Sequence, residues 1–152
     1  MIVACPSMSR AGKTTTQDIM PDVVFFVPVS QVGQYKEHWE EVVGVPDTVK
    51  GITPTRNWIL DNTDDPHVVQ CDDDGIGFGY MQKVAGEDGT IRHDKGKSHP
   101  KMGQDDIRRL LLSCFDMCED LGTNLFGFGV ADDLSSTGSL RRCRWCPWWW
   151  GT

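Results

Sequence analysis

No apolar stretch in this 152-residue chain approaches the length of a membrane span. The longest run, Val23–Val29, falls far short of the ~20 residues a helix needs to cross a bilayer. Met1–Arg10 holds only a short apolar segment, less than the core of a signal peptide, so the expectation is a cytoplasmic chain with no membrane partner. Positive charge is scarce as well: 15 Lys and Arg stand against 22 Asp and Glu, a net charge of -7. That excludes a general nucleic-acid coat, which neutralises phosphates with clustered cations. Glutamate contributes little to the acid excess, which is 17 Asp and only 5 Glu. Aspartate is a poor helix former but serves well in turns and as a ligand for hard metal ions. The 6 cysteines, without an export signal, read as thiols of a reducing compartment rather than a disulfide framework.

What is present is enough apolar material for one folded domain, at 39% of residues. Ile2–Cys5, Val23–Val29, Val42–Val45 and Val68–Cys71 are apolar, mostly β-branched runs bounded by Pro6, Pro21, Pro46 and Pro66. Continuous apolar strands of this kind suit a parallel sheet covered on both faces. Between them, Thr14–Met20, Gln34–Glu41 and Thr55–Leu60 can each supply a short helix, which gives the alternating order of an open α/β sheet. Beyond Asp74 the glycines Gly75, Gly77, Gly79, Gly86 and Gly89 flank Tyr80–Val84 and Thr90–Arg92, a hairpin or meander pattern. Arg92–Met102 reads as a polar loop. Gln104–Leu121 carries Ile107, Leu110, Leu111, Cys114, Phe115, Cys118 and Leu121 on one helical face, with Asp105 and Asp106 in its first turn and Gly122 as its stop. Asn124–Val130 reads as a further strand that closes at Asp132–Asp133. From Ser139 the composition shifts abruptly to arginine, cysteine and tryptophan with no acid. Residues 1–133 are therefore one domain and 134–152 an atypical tail; a reading-frame change near Leu134 would produce such a shift and leave the domain truncated.

The strongest chemical feature is Asp72-Asp73-Asp74, directly after the strand Val68–Cys71. Ligands of open α/β sheets collect at the carboxyl ends of strands. Three adjacent carboxylates repel one another, and a hard divalent ion held by two of their oxygens, with phosphate and water completing its shell, would compensate them. On an extended chain residues two apart face the same way, which pairs Asp72 with Asp74. A bare acidic triplet is commonly a solvated turn; its place after an apolar strand favours the site. Gly51 and Pro54 suggest a turn, with Thr55 capping a helix that brings Arg56 and Asn57 into its first turn. An arginine there can pair with a diphosphate and an asparagine can orient a carboxylate, although a surface arginine and a capping amide would look the same.

Other motifs are weaker. Gly12-Lys13-Thr14 after Ile2–Cys5 resembles the end of a phosphate-binding P-loop, but Ser7 stands where the loop needs glycine. Cys114, Cys118, Cys143 and Cys146 could make a four-thiolate zinc site, yet Cys114 and Cys118 lie on an apolar helix face where cysteine packs as a small hydrophobe. His38, His67, His93 and His99 have no ligand-like spacing.

Taken in order, MIVACPSMSR, VVFFVPVSQVGQY, GITPTRNWIL and HVVQCDDD resemble the nucleotide-binding half of a GT-A fold glycosyltransferase, over roughly residues 1–133. The resemblance is nearest to the phage and TET-associated enzymes that glycosylate hydroxymethylated pyrimidines in DNA. It implies an open, mostly parallel Rossmann-like sheet with flanking helices, and transfer of a sugar from a nucleotide-diphosphate donor to a hydroxyl, with a modified DNA base as one acceptor. It also implies Mn²⁺ or Mg²⁺ as cofactor, held by Asp72 and Asp74 in a DxD motif. Ser7, Arg10, Ser30, Gln31, Arg56, Asn57, Asp72 and Asp73 would line the nucleotide. Asp132 and Asp133, at the end of the last expected strand, are the only candidates for the catalytic base. A phage origin would place the protein in the host cytoplasm. The second strand carries no acid beside Ser30, and no acceptor half follows residue 133. The alternatives are a non-catalytic nucleotide-binding fragment and a degenerate P-loop protein.

Overall fold

The computed structural model describes residues 1–20, 22–75, 77–78, 83–85, 91–93 and 102–128. Four strands, β1 (Ile2–Pro6), β2 (Val23–Pro28), β3 (Val42–Val45) and β4 (Val68–Gln70), form one sheet in the order β3-β2-β1-β4. Every pairing in it is parallel: Val3 lies opposite Val23, Phe25 opposite Val42 and Ala4 opposite Gln70. The fold is α/β, as the apolar runs predict. Alternate side chains of a strand face opposite ways, and here both faces are buried. Val3, Cys5, Phe25 and Val27 join Met20, Tyr35, Ile107 and Leu111 in the larger core, while Ala4 and Phe26 meet Val45 and Ile59 on the other face.

The helices supply these covers, with boundaries that depart from the expected ones. α1 (Val32–Lys36) follows a 3₁₀ turn at Val29–Gln31 and ends well before Glu41. Glu37, Glu40 and Glu41 would stand at the negative end of a longer helix, where the macrodipole disfavours them. Of the expected Thr14–Met20 helix only a 3₁₀ turn at Thr16–Asp18 forms. The Thr15 and Thr16 hydroxyls bond to backbone groups of Asp72 and Gly75 instead, the competition that makes threonine a weak helix former. A P-loop needs a helix at this point, and a single turn stands there. α2 (Ile52–Asp61) begins earlier than expected, with Gly51 as its N-cap at φ 93°. Pro54 falls within the first turn, where no amide hydrogen is required, so it does not delay the helix. Arg56 consequently lies one turn in rather than in the first turn, and the Thr55 hydroxyl bonds back to the Gly51 carbonyl instead of capping.

β5 (Lys83–Ala85) and β6 (Ile91–His93) pair antiparallel, which agrees with the hairpin reading of this region. α3 (Gln104–Leu121) has the expected limits and ends at Gly122 in the left-handed conformation, φ 62°. Ile107, Leu111 and Cys114 are buried, but Leu121 is 68% exposed and leaves the expected apolar face, because the last turn runs past the sheet. α3 is pinned by an Arg108–Asp22 ion pair at 2.6 Å and by Phe115 stacked on His67, ring centroids 4.3 Å apart. Residues 124–128 form no strand; their contacts are made by side chains, with Phe126 edge-on to both Phe115 and Phe128. Of the expected Arg92–Met102 loop, Arg92 and His93 belong to β6 instead, and residues 94–101 lie outside the described residues, as do Asp132, Asp133, the 133/134 boundary and the 134–152 tail.

Leu111→Ala should cost about 2–5 kcal/mol in urea unfolding, the range for emptying a well-packed leucine site. Leu121→Ala should stay within about 0.5 kcal/mol, as for a surface position.

Candidate functional site

Strand order fixes where loops meet. The chain leaves β1 for β2 and β3 on one side, then returns to β4 on the other, so the carboxyl ends of β1 and β4 flank the point where the winding reverses. At such a point two loops diverge and leave a crevice. Here the loop after β1 brings Ser7 and Arg10, and the turn after β4 brings Asp72, Asp73 and Asp74.

At the centre is Asp73, only 8% exposed. One of its oxygens accepts from the Ser7 hydroxyl and the other from the Arg10 guanidinium at 2.7 Å. Since Ser7 gives its proton to a carboxylate, the 2.7 Å contact between Ser7 and Tyr35 must have the Tyr35 hydroxyl as donor. Tyr35 in turn accepts from the Arg10 amide at 3.0 Å. Tyr35 is fully buried, against Phe25. A closed ring of hydrogen bonds thus joins the β1 loop, α1 and the β4 turn.

The turn is held from its other side. The Thr15 amide donates to the Asp73 carbonyl at 3.0 Å and its hydroxyl to the Gly75 carbonyl at 2.9 Å. The Thr16 hydroxyl donates to the Asp72 carbonyl and accepts from the Gly75 amide at 3.1 Å. A side chain at Gly75 would come within 3.2 Å of that Thr16 oxygen. Tyr35, Thr15 and Thr16 are the site residues that sequence reasoning missed. The threonine run, a residue type that favours backbone-bonding turns, was the signal available for two of them.

The outer carboxylates are exposed and each meets an arginine. Asp72 pairs with Arg56 at 2.7 Å, and Asp74 with Arg10 at 3.3 Å. Asp74 and then Asp73 hold the Arg10 guanidinium more firmly protonated than usual. The Arg56 Nε is buried and has no acceptor among the described residues. Residues 73–74 are in a turn, so the extended alternation expected to align Asp72 with Asp74 does not apply; Asp73 and Asp74 share Arg10 instead. The three carboxylates therefore have two cations of the chain's own beside them. Among the described residues no group of three or more His, Cys, Asp or Glu side chains is placed to hold a metal ion.

Behind the site, Cys5 and Cys71 lie on the neighbouring ends of β1 and β4. The neighbouring Cys71 thiol, then burial, raises the Cys5 thiol, while Cys5 lowers Cys71, whose sulfur also donates to the Ala4 carbonyl at 3.8 Å.

Six of the sequence-predicted residues thus come together: Ser7, Arg10, Arg56, Asp72, Asp73 and Asp74. Gln31 joins at the margin, accepting from the Ser9 amide at 2.7 Å. Ser30 turns towards the loop after β3 and donates to Asp47 at 2.8 Å. Asn57 instead lines an open groove between α2 and the segment after β3, with Thr48, Lys50, Trp58 and Asp61; Arg56 is not among its lining residues. Neighbouring helix positions point about 100° apart, which explains the split. No known protein family, curated protein or solved structure matches the chain.

Asp73→Asn should destabilise by about 1.5–3 kcal/mol, the worth of hydrogen bonds to a charged group. Asp72→Asn, whose carboxylate is 70% exposed, should stay within about 1 kcal/mol, as solvent-screened pairs do. Thermal or urea unfolding distinguishes them, and equal losses would show that the ring around Asp73 is not a structural centre.

Proposed function

We propose that this chain binds a nucleotide-diphosphate sugar at the carboxyl ends of β1 and β4, as the donor-binding half of a metal-dependent glycosyltransferase. The observation that carries the reading is the meeting of Arg10 and Arg56 with Asp72 and Asp74 at the reversal point of a parallel sheet. Arginine forks suit phosphate oxygens, and the Arg56 Nε still lacks an acceptor that a diphosphate could supply. Among the described residues no helix is long and apolar enough to cross a membrane.

The residues that would hold a Mg²⁺ or Mn²⁺ ion are Asp72 and Asp74, each released from its arginine, with phosphate and water completing the shell. When bound, such an ion would offset the charge that gathers on a leaving diphosphate. The chain's own part is binding and orientation. Arg10 and Arg56 would exchange a carboxylate partner for phosphate oxygens, while Asp73, Ser7 and Tyr35 keep the Arg10 loop in place. Gln31 and Ser30, with Asp47, stand where a base or ribose would reach from the same edge. The acceptor, a hydroxymethylated DNA base in the nearest resemblance, would be engaged beyond these residues, with Asp132 or Asp133 as base.

A second reading, a nucleotide-holding domain without turnover, draws on the same ion pairs, since Arg10 and Arg56 already neutralise part of the acidic turn. Calorimetry with a nucleoside diphosphate separates the two. Binding that needs Mn²⁺ or Mg²⁺ and disappears in EDTA supports the glycosyltransferase reading; equal affinity in both favours the second. Asp74→Ala should abolish the metal dependence, whereas Asp116→Ala, on the outer face of α3, should leave it intact. Arg56→Ala should weaken binding by about 1.5–3 kcal/mol, and an unchanged dissociation constant with a lowered melting temperature would make Arg56 structural.

A further inference from the structure

The larger core contains one pair of groups that the proposed site does not use. In the parallel ladder Ala4 lies opposite Gln70, so the next residues, Cys5 and Cys71, face each other across the ends of β1 and β4. The Cys71 amide donates to the Ala4 carbonyl at 3.1 Å, which continues the register one step past the strand. Both side chains are on the same sheet face: Cys5 belongs to the larger core and Cys71 packs against it. Both are free thiols, Cys5 fully buried and Cys71 partly exposed. An opposed pair with one member within reach of solvent and one beneath it has the arrangement of an attacking and a resolving thiol.

We propose that Cys5 and Cys71 form a reversible, peroxide-driven disulfide that ties the two strand ends bearing the loops of the site. The Cys71 sulfur attacks the peroxide O–O bond, taking one oxygen to become a sulfenic acid and releasing water. The Cys5 sulfur then attacks the Cys71 sulfur, the S–O bond breaks, and a second water leaves with the displaced hydroxyl and the Cys5 proton. Two thiols are oxidised to one disulfide and one hydrogen peroxide is reduced to two waters. In a reducing compartment such a bond is transient and is undone by dithiol exchange. Its closure would fix the Ser7 loop relative to the Asp72–Asp74 turn, since Cys5 and Cys71 immediately precede those segments.

The test uses the full chain carrying Cys143→Ser and Cys146→Ser, which removes the other closely spaced pair outside α3. The protein is exposed to hydrogen peroxide, alkylated in denaturant and mapped without reduction. The expected result is a peptide joining Cys5 to Cys71, an intact mass, taken before alkylation, lower by about 2 Da for the two hydrogens lost, and recovery of both thiols with dithiothreitol. Adding Cys71→Ala should abolish the mass loss, and adding Cys118→Ala should not. The chain with all its cysteines, mapped in the same way, gives the same peptide if the serine variants fold poorly. Cys71 driven to sulfinic acid while Cys5 remains alkylatable, or no joined peptide at any peroxide dose, would overturn the proposal.

Discussion

A carboxylate taken out of water is tolerated only where donors replace its hydration, and Asp73 sits in such a place. The Ser7 hydroxyl and the Arg10 guanidinium satisfy its two oxygens, and Tyr35 fixes the orientation of Ser7 while receiving the Arg10 amide. These four residues come from three parts of the chain: Ser7 and Arg10 from the loop after the first strand, Tyr35 from the first helix and Asp73 from the turn after the fourth strand. None of the three segments has enough regular structure of its own to hold a shape. This one buried charge ties the three together, with Thr15 and Thr16 holding the turn from its other side.

The dependence runs outward as well. With Asp73 turned inward, its neighbours Asp72 and Asp74 are left at the surface, where Arg56 and Arg10 meet them. An acidic triplet that would repel itself on an isolated strand becomes an alternation of carboxylate and guanidinium. Exposed pairs of this kind contribute little to stability, because water screens them and ordering the side chains costs entropy. They are correspondingly easy to exchange for a phosphate or a metal ion. A rigid inner ring carrying a loosely paired outer rim is what the proposed binding at this edge would require: a frame that need not reorganise and outer groups not committed to one partner.

The same sheet edge joins this chemistry to the core. Cys5 and Cys71 lie in the register step between the last ladder bonds and the first site residues, so the strand pairing that buries the core also sets the distance across the site. Covering both sheet faces leaves only the strand ends for ligands, a consequence of parallel packing.

Much of this was determined by sequence alone, for local reasons. The strands were readable because each is a continuous β-branched or aromatic run stopped by proline, and α3 because its apolar positions recur at helical spacing between an acidic start and a glycine stop. The acidic triplet could be singled out because it directly follows an apolar strand, Arg56 because it stands near an expected helix start, and Arg10 only through the resemblance of the first loop to a known family. Tertiary structure decided what local pattern cannot carry. Thr15 and Thr16 gave up a helix for the Asp72–Gly75 backbone, a partner some sixty residues away in sequence by their hydrogen bonds. Asn57 was separated from Arg56 by their different directions around α2, and Asp47 reached Ser30 from the loop after another strand. Tyr35, one apolar position among many in the sequence, became the hinge of the ring because its hydroxyl arrives beside Ser7 only when the first helix is packed. Periodicity records which face of an element is buried; it holds no record of which distant polar group that face will meet.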